Sequence, residues 1–214
     1  LMKDKGIVYG FIGAIGSGKS YRLDQLKRAN TIKGIKTLDG DFSDGIRETL
    51  AFILTGKAAK MDINSDSYSY WKNNGQVITT PTNPLTDTPY ASMVTGRQLL
   101  QRCGEYIKTL AGPAVWADWT AKRITEEWVK LDEFDAYTAD IAFGSVRFAE
   151  EVVAILNVGK MMSKDVKFIF CDYKSPRYEI NDHVSENFAR YFINKGFKDG
   201  DNITAELINI VTRY

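Results

Sequence analysis

Gly13-Ala14-Ile15-Gly16-Ser17-Gly18-Lys19-Ser20 is the stretch on which the reading of this chain turns. It fits the phosphate-binding pattern G-x-x-x-x-G-K-[ST] in full. Its surroundings are what that pattern needs. Ile7 to Ile12 is an apolar run that reads as a buried strand, and Tyr21-Arg22-Leu23-Asp24-Gln25-Leu26-Lys27 reads as the opening turns of a helix. Glycines let the backbone double back so that its N–H groups converge on phosphate oxygens. The helix N-terminus behind them adds roughly half a positive charge. Residues Gly13 to Tyr21 are therefore the expected nucleotide-binding stretch, with Lys19 reaching the β- and γ-phosphates and the Ser20 hydroxyl ligating Mg2+. The bland alternative is a glycine-rich turn with an incidental lysine, and the strand and helix on either side argue against it. The implied ligand is a nucleoside triphosphate.

Outward from the loop, strands alternate with helices. Strands are expected at Ile7–Ile12, Ile35–Leu38, Ala139–Phe143, Val166–Cys171 and near Tyr191–Ile193. Helices are expected from the loop to about Ala29, around Ile46, Leu50, Ile53 and Leu54 up to Gly56, and around Leu99, Leu100, Cys103, Ile107 and Leu110 up to Gly112-Pro113. Three more carry Trp116, Trp119, Ile124 and Trp128; then Phe148, Val152, Ile155 and Leu156 up to Gly159; then Leu207, Ile210 and Val211. The Trp-rich helix reads as core. The alternation predicts βαβ units, hence a mostly parallel five-stranded sheet flanked by helices in one domain spanning 1–214. Residues 57–95 break the pattern. They are rich in Asn, Asp, Ser, Thr and Tyr and hold Pro81, Pro84 and Pro89. They are too long for an ordinary connection and too aromatic for a linker, so they read as a partly ordered insertion over the ligand cleft.

Bulk properties narrow the classes. The 214 residues suit one α/β domain with a lid or inserted segment. The net charge of +1 argues against a large nucleic-acid-binding surface, while leaving room for small anions held by a few local cations. No apolar run approaches the length of a membrane span. Leu1-Met2-Lys3-Asp4-Lys5 leads straight into the first strand, so no secretion signal is expected. The two cysteines, Cys103 and Cys171, then read as free thiols in a reducing cytoplasm. His183 is the only histidine and has no cysteine cluster beside it, which argues against a metal site there.

Size excludes helicases and transporters, and no N-K-x-D guanine-reading motif is present. A small kinase remains. Phosphoryl transfer needs positioning and positive charge more than covalent chemistry. Single arginines at strand ends and helix starts are the residues to look for, and Arg47, Arg97 and Arg147 occupy such places.

Four blocks, in order, carry a family resemblance: the phosphate loop; Phe42-Ser43-Asp44-Gly45-Ile46-Arg47; Gly96-Arg97-Gln98-Leu99-Leu100-Gln101-Arg102-Cys103-Gly104; and Val146-Arg147-Phe148-Ala149-Glu150-Glu151, trailed by Asp182-His183-Val184-Ser185-Glu186. In these the chain resembles the phage-type deoxynucleoside monophosphate kinases, a branch of the P-loop nucleotide kinases. The resemblance implies a P-loop kinase fold and the ATP- and Mg2+-dependent conversion of deoxynucleoside monophosphates to diphosphates for phage DNA synthesis. It further implies a cytoplasmic enzyme of an infected host, a possible homodimer, with no direct nucleic-acid or membrane partner. By the same likeness Lys19, Arg47, Arg97 and Arg147 act on the phosphates. Asp44, Arg47, Arg97, Gln101, Arg147 and Glu151 form the acceptor site, with Tyr70 or Trp71 as a stacking surface for the base. Segment 57–95 stands at the monophosphate region, and 172–186 at a lid carrying Arg177.

Two departures stand out. Ser145 replaces the family's Asp before x-R-F, the natural anchor for hydrated Mg2+, which leaves Asp39, Asp41 or Asp44 to supply that charge. Gly96 replaces Pro at the start of the third block. They leave two other readings in play: a nucleotide-binding regulatory protein with weakened catalysis, and a P-loop kinase for another small acceptor.

Overall fold

The computed structural model describes residues 4–56, 65–79, 91–176, 178 and 184–213. They fall into two compact units, Leu1–Phe42 with Ala117–Tyr214, and Ser43–Trp116.

The first unit is built on β1 (Ile7–Ile12), followed by α1 (Lys19–Lys33) and β2 (Thr37–Gly40). In chain order the second unit contributes α2 (Asp44–Thr55), α3 (Asp66–Asn73), β3 (Gly75–Thr79), β4 (Ala91–Thr95) and α4 (Gly96–Ala111). The chain continues through α5 (Val115–Trp128), α6 (Glu133–Thr138), β5 (Asp140–Val146), α7 (Ala149–Met161) and β6 (Asp165–Phe170). A single 3-10 turn at Val184–Glu186 leads into α8 (Asn187–Asn194), and α9 (Thr204–Val211) follows. The sheet of the first unit is parallel and runs β2-β5-β1-β6.

Strand alternation divides the core into two layers. Val8 and Ile12 of β1 join Ile141, Phe143, Phe168 and Phe170 in a cluster with Val152, Ile155 and Val158 of α7, Phe192 of α8 and Leu207 of α9. Tyr9 and Phe11, with the opposite parity, meet Ala142, Cys171 and the α1 residues Leu23 and Leu26. Helices thus cover both faces, the arrangement that parallel strands buried on both sides require. Trp116 is buried and Trp128 packs on the main cluster, as the Trp-rich pattern predicts.

Several expectations need correction. The sheet has four described strands, not five, and Tyr191–Ile193 lies inside α8. Ala189 and Phe192 are the buried residues there, three apart, which is a helical repeat and not the two-residue repeat of a strand. The edge of β6 is met instead by the chain at 200–203. Gly200 N donates to Phe170 O at 2.8 Å, Phe170 N to Asp201 O at 2.9 Å and Ile203 N to Phe168 O at 2.9 Å. Helix α7 also runs through Gly159 to Met161.

In the second unit α2 begins at Asp44 and stops at Gly56 in the left-handed conformation (φ 68°). Of the segment 57–95, α3 and the antiparallel β3–β4 hairpin are described. Pro81, Pro84, Pro89 and Tyr90 lie outside the described residues, as do Arg177 and His183.

At the amino-terminal edge of the sheet a buried carboxylate ties four elements together. Asp140 accepts from Ile7 N (2.7 Å) and from Asn30 Nδ2 (2.8 Å), and Asn30 Nδ2 also reaches Thr37 Oγ1 (2.9 Å). Removing such an acceptor strands buried donors. Asp140→Ala is expected to lower unfolding free energy by about 2 kcal/mol, read as a lower urea midpoint. An unchanged midpoint would contradict this account of the edge.

Candidate nucleotide-binding site

The opposite edge of the sheet is where the chemistry gathers, and strand register explains why. Ile12 of β1 lies level with Val146 of β5 on one side and Phe170 of β6 on the other. The residues that follow, Gly13, Arg147 and Cys171, therefore leave the sheet side by side. Asp41 follows β2, the strand beyond β5. This is the carboxyl end at which open α/β sheets place their ligands.

The loop from Gly13 to Ser20 is shaped by what cannot fit in it. A Cβ on Gly13 would stand 2.2 Å from Cys171 O and 2.3 Å from Ser17 Oγ, so no other residue permits this approach to β6. Gly16 (φ 72°) and Gly18 (φ 83°) take the left-handed conformation that turns the chain back. Gly18 is also the residue that caps α1. It offers no side chain to the helix's first N–H groups, and that first turn holds no acidic residue. Those N–H groups need an acceptor, which an anion supplies.

Lys19 is 8% exposed, and its ammonium donates to Gly13 O and Ala14 O, both at 2.6 Å. Burial lowers its pKa to about 8, and the nearby positive charge of Arg147 lowers it too. Glu186 and Asp41 act in the opposite direction. Cys171 itself is fully buried, and burial pushes its thiol up to about 12, so it packs as an inert neutral group.

An open cleft of about 490 Å3 is lined by Gly16, Ser17, Gly18, Lys19, Ser20, Tyr21, Tyr173 and Ser175. Ser20 is exposed. Tyr21 and Tyr173 are each 62% exposed. The chain after β6 is pinned along the loop: Tyr173 N donates to Ser17 O (3.1 Å) and Ser175 N to Gly16 O (3.4 Å). These observations fit a polyphosphate. The loop is a cradle of main-chain N–H groups with a lysine at its root, and its three glycines sit where a side chain is excluded or strained.

The remaining expected residues separate between the units. Arg147 belongs to the first. Glu151, 6% exposed, accepts from Arg147 N (2.6 Å) and Phe148 N (3.1 Å), so it caps α7 and fixes the main chain at Arg147. Asp44, Arg47, Tyr70, Trp71, Arg97 and Gln101 belong to the second unit. There Arg47 is buried and paired with Asp44 in the first turn of α2. Arg97 donates to Asn73 Oδ1 (3.2 Å). A Cβ on Gly96 would stand 2.5 Å from the Trp71 ring, which explains glycine at this helix start. Tyr70 and Gln101 are exposed.

Of the three acidic candidates for the charge that Ser145 lacks, Asp39 pairs with Lys27 (2.9 Å) and Asp44 with Arg47. Asp41 is the one whose charge is felt at Lys19. Sequence reading missed Glu186, Tyr173 and Ser175. Glu186 sits in the last resembling block, but nothing in a polar stretch marks one carboxylate as 2% exposed.

No family model matches the chain, and no curated protein sequence does. Solved structures do. One is a cysteine-to-alanine variant of the Mycobacterium tuberculosis APS kinase CysC, 16% identical over 89% of this chain and 96% of that one, with a TM-score of 0.32. Another is the same kinase in complex with AMPPNP and APS, 15% identical over 89% and 97%, with a TM-score of 0.33. The likeness is loose.

The depressed Lys19 pKa has a consequence for binding. A bound polyphosphate favours the ammonium form, so binding takes up a proton above pH of about 8, where free Lys19 has lost it, and none well below. Calorimetry of ATP binding in buffers of different ionisation heat is expected to show this uptake, and Lys19→Met to abolish it. Uptake that persists in Lys19→Met would contradict the assignment.

Proposed function

We propose that this chain is an ATP- and Mg2+-dependent phosphotransferase whose acceptor is a nucleoside monophosphate, with deoxynucleoside monophosphates first among them and diphosphates for DNA synthesis as products. The observation that carries the transferase reading is the register that brings Arg147, just after β5, level with Gly13 at the start of the phosphate loop, near enough for its charge to lower the pKa of Lys19. A loop that only bound nucleotide would be served by the lysine. A second cation at the end of the neighbouring strand answers the charge that spreads over a phosphoryl group in flight. The choice of acceptor rests on the ordered sequence blocks around Arg47, Arg97 and Arg147.

The residues present would hold the donor as follows. Main-chain N–H groups of Gly16 and of Gly18 to Tyr21 cradle its phosphates, Lys19 neutralises the outer ones, and Tyr21 and Tyr173 offer apolar faces along the cleft. Mg2+ held there would neutralise charge that develops on the phosphates. A Ser20 hydroxyl and one carboxylate are enough protein ligation for an ion that keeps most of its water. Asp41, whose charge is felt at Lys19, is the carboxylate we assign to this role. Glu151 holds the main chain that presents Arg147, and thereby fixes where its guanidinium emerges.

The test is diphosphate formation from ATP-Mg2+ with dAMP, dGMP, dCMP, dTMP and hydroxymethyl-dCMP, the matching ribonucleotides, and APS as an acceptor of another kind. Turnover with a monophosphate is expected. Lys19→Ala should lower kcat by about 100- to 1,000-fold, and Arg97→Ala should act chiefly on the acceptor KM. Turnover with APS alone moves the reading to another acceptor. Silence throughout, in protein that binds ATP, moves it to a regulatory protein in which Ser145 marks the lost catalytic anchor.

A further inference from the structure

The connection after β6 leaves from the phosphate loop and returns to it. At its start Tyr173 N holds Ser17 O and Ser175 N holds Gly16 O. At its end, in the turn Val184–Glu186, the Glu186 carboxylate accepts from Ile15 N at 3.3 Å. Three consecutive loop residues, Ile15, Gly16 and Ser17, are thus each tied to this one connection.

The Ile15 tie has a particular consequence. Ile15 N–H and Ala14 C=O belong to the same peptide unit, which is planar and trans, so they point in opposite directions. The N–H faces Glu186, and the carbonyl accepts the Lys19 ammonium at 2.6 Å. A carboxylate on one side and an ammonium on the other hold one peptide plane between them, and the bonds polarise in the same sense. Glu186 is buried at 2% exposure and is not among the residues that line the cleft, so it acts on the loop from behind.

We propose that Glu186 is a positioning residue for nucleotide binding: by accepting from Ile15 N–H it fixes the Ala14–Ile15 peptide plane, and through the Ala14 carbonyl it fixes where Lys19 rests. With that plane free to turn, Ile15 N–H would face the ammonium and Lys19 would lose one of its two carbonyl partners. The residue sits in the block Asp182 to Glu186, whose likeness to the kinase family assigns it no task. The inference rests on the nucleotide-binding reading of the loop.

The test is the Kd for ATP-Mg2+, measured by calorimetry on the full chain, for the parent and for E186A, E186Q and E186D, with the far-ultraviolet circular dichroism and unfolding midpoint of each. Loss of a hydrogen bond to a charged group costs about tenfold or more in an equilibrium constant. E186A is expected to bind ATP about tenfold more weakly at parental helix content. E186Q keeps an oxygen at the same reach and is expected to recover most of the affinity. E186D keeps the charge but is one methylene short, and is expected to bind as weakly as E186A. The glutamine and aspartate variants carry the test even if E186A does not fold. Folded E186A or E186D binding ATP as tightly as the parent overturns the inference alone, and so does E186Q as weak as E186D. A parent that binds no ATP overturns the nucleotide-binding reading and this inference with it.

Discussion

The close approach of Gly13 to the end of β6 is the constraint from which the site follows. With a Cβ position 2.2 Å from the Cys171 carbonyl, the chain can leave β1 on this path only as glycine. That path lets the loop lie against the chain emerging from β6, and Cys171 N closes onto Ile12 O at 2.7 Å. Once the loop is seated, its carbonyls point to places where Lys19, Tyr173 and Ser175 can bond them. Its remaining N–H groups are left for a ligand. The glycines are therefore permissions, and the hydrogen bonds they permit do the shaping.

Charge at this edge is arranged in layers. Lys19 is buried deeply enough to lower its pKa to about 8, a cost that two carbonyls only partly offset. Arg147 adds to that cost, while Glu186 and Asp41 relieve it. A polyphosphate entering the cleft would bring the negative charge this arrangement lacks. The protein holds the cations in advance, in a partly dry place where they act strongly on an anion. The amino-terminal edge is organised differently: Asp140 and Asn30 are consumed by hydrogen bonds that join strands and helix. One edge is closed upon itself and the other is left open, which is how a parallel sheet separates stability from function.

The loop was legible in the sequence because its residue types are dictated by backbone geometry, and geometry of that kind is local. The limits of β1 match for the same reason, an apolar run bounded by charge and glycine. The shift of β2 from Ile35–Leu38 to Thr37–Gly40 shows the weaker signal of a short, half-exposed strand. Tyr191-Phe192-Ile193 looked like a strand because three bulky apolar residues in a row satisfy either repeat, and only their tertiary neighbours decide. Glu186 was illegible in a stronger sense. Its burial and its bond to Ile15 depend on where a chain 171 residues distant comes to rest. Glu151 was noticed for its place in a motif, and the structure adds its bonds to the main chain at the start of α7.

The central claim is that the loop Gly13 to Ser20 binds the phosphates of a nucleoside triphosphate with Lys19 as its cation. A crystal structure with AMPPNP and Mg2+ tests it most directly. The account predicts phosphate oxygens within hydrogen-bond distance of the main-chain N–H groups of Gly16 and of Gly18 to Tyr21, and Lys19 Nζ turned to the outer phosphates, giving up the Gly13 carbonyl and keeping that of Ala14. Nucleotide bound elsewhere, or bound with Lys19 still held by both carbonyls and out of reach of any phosphate, would contradict it.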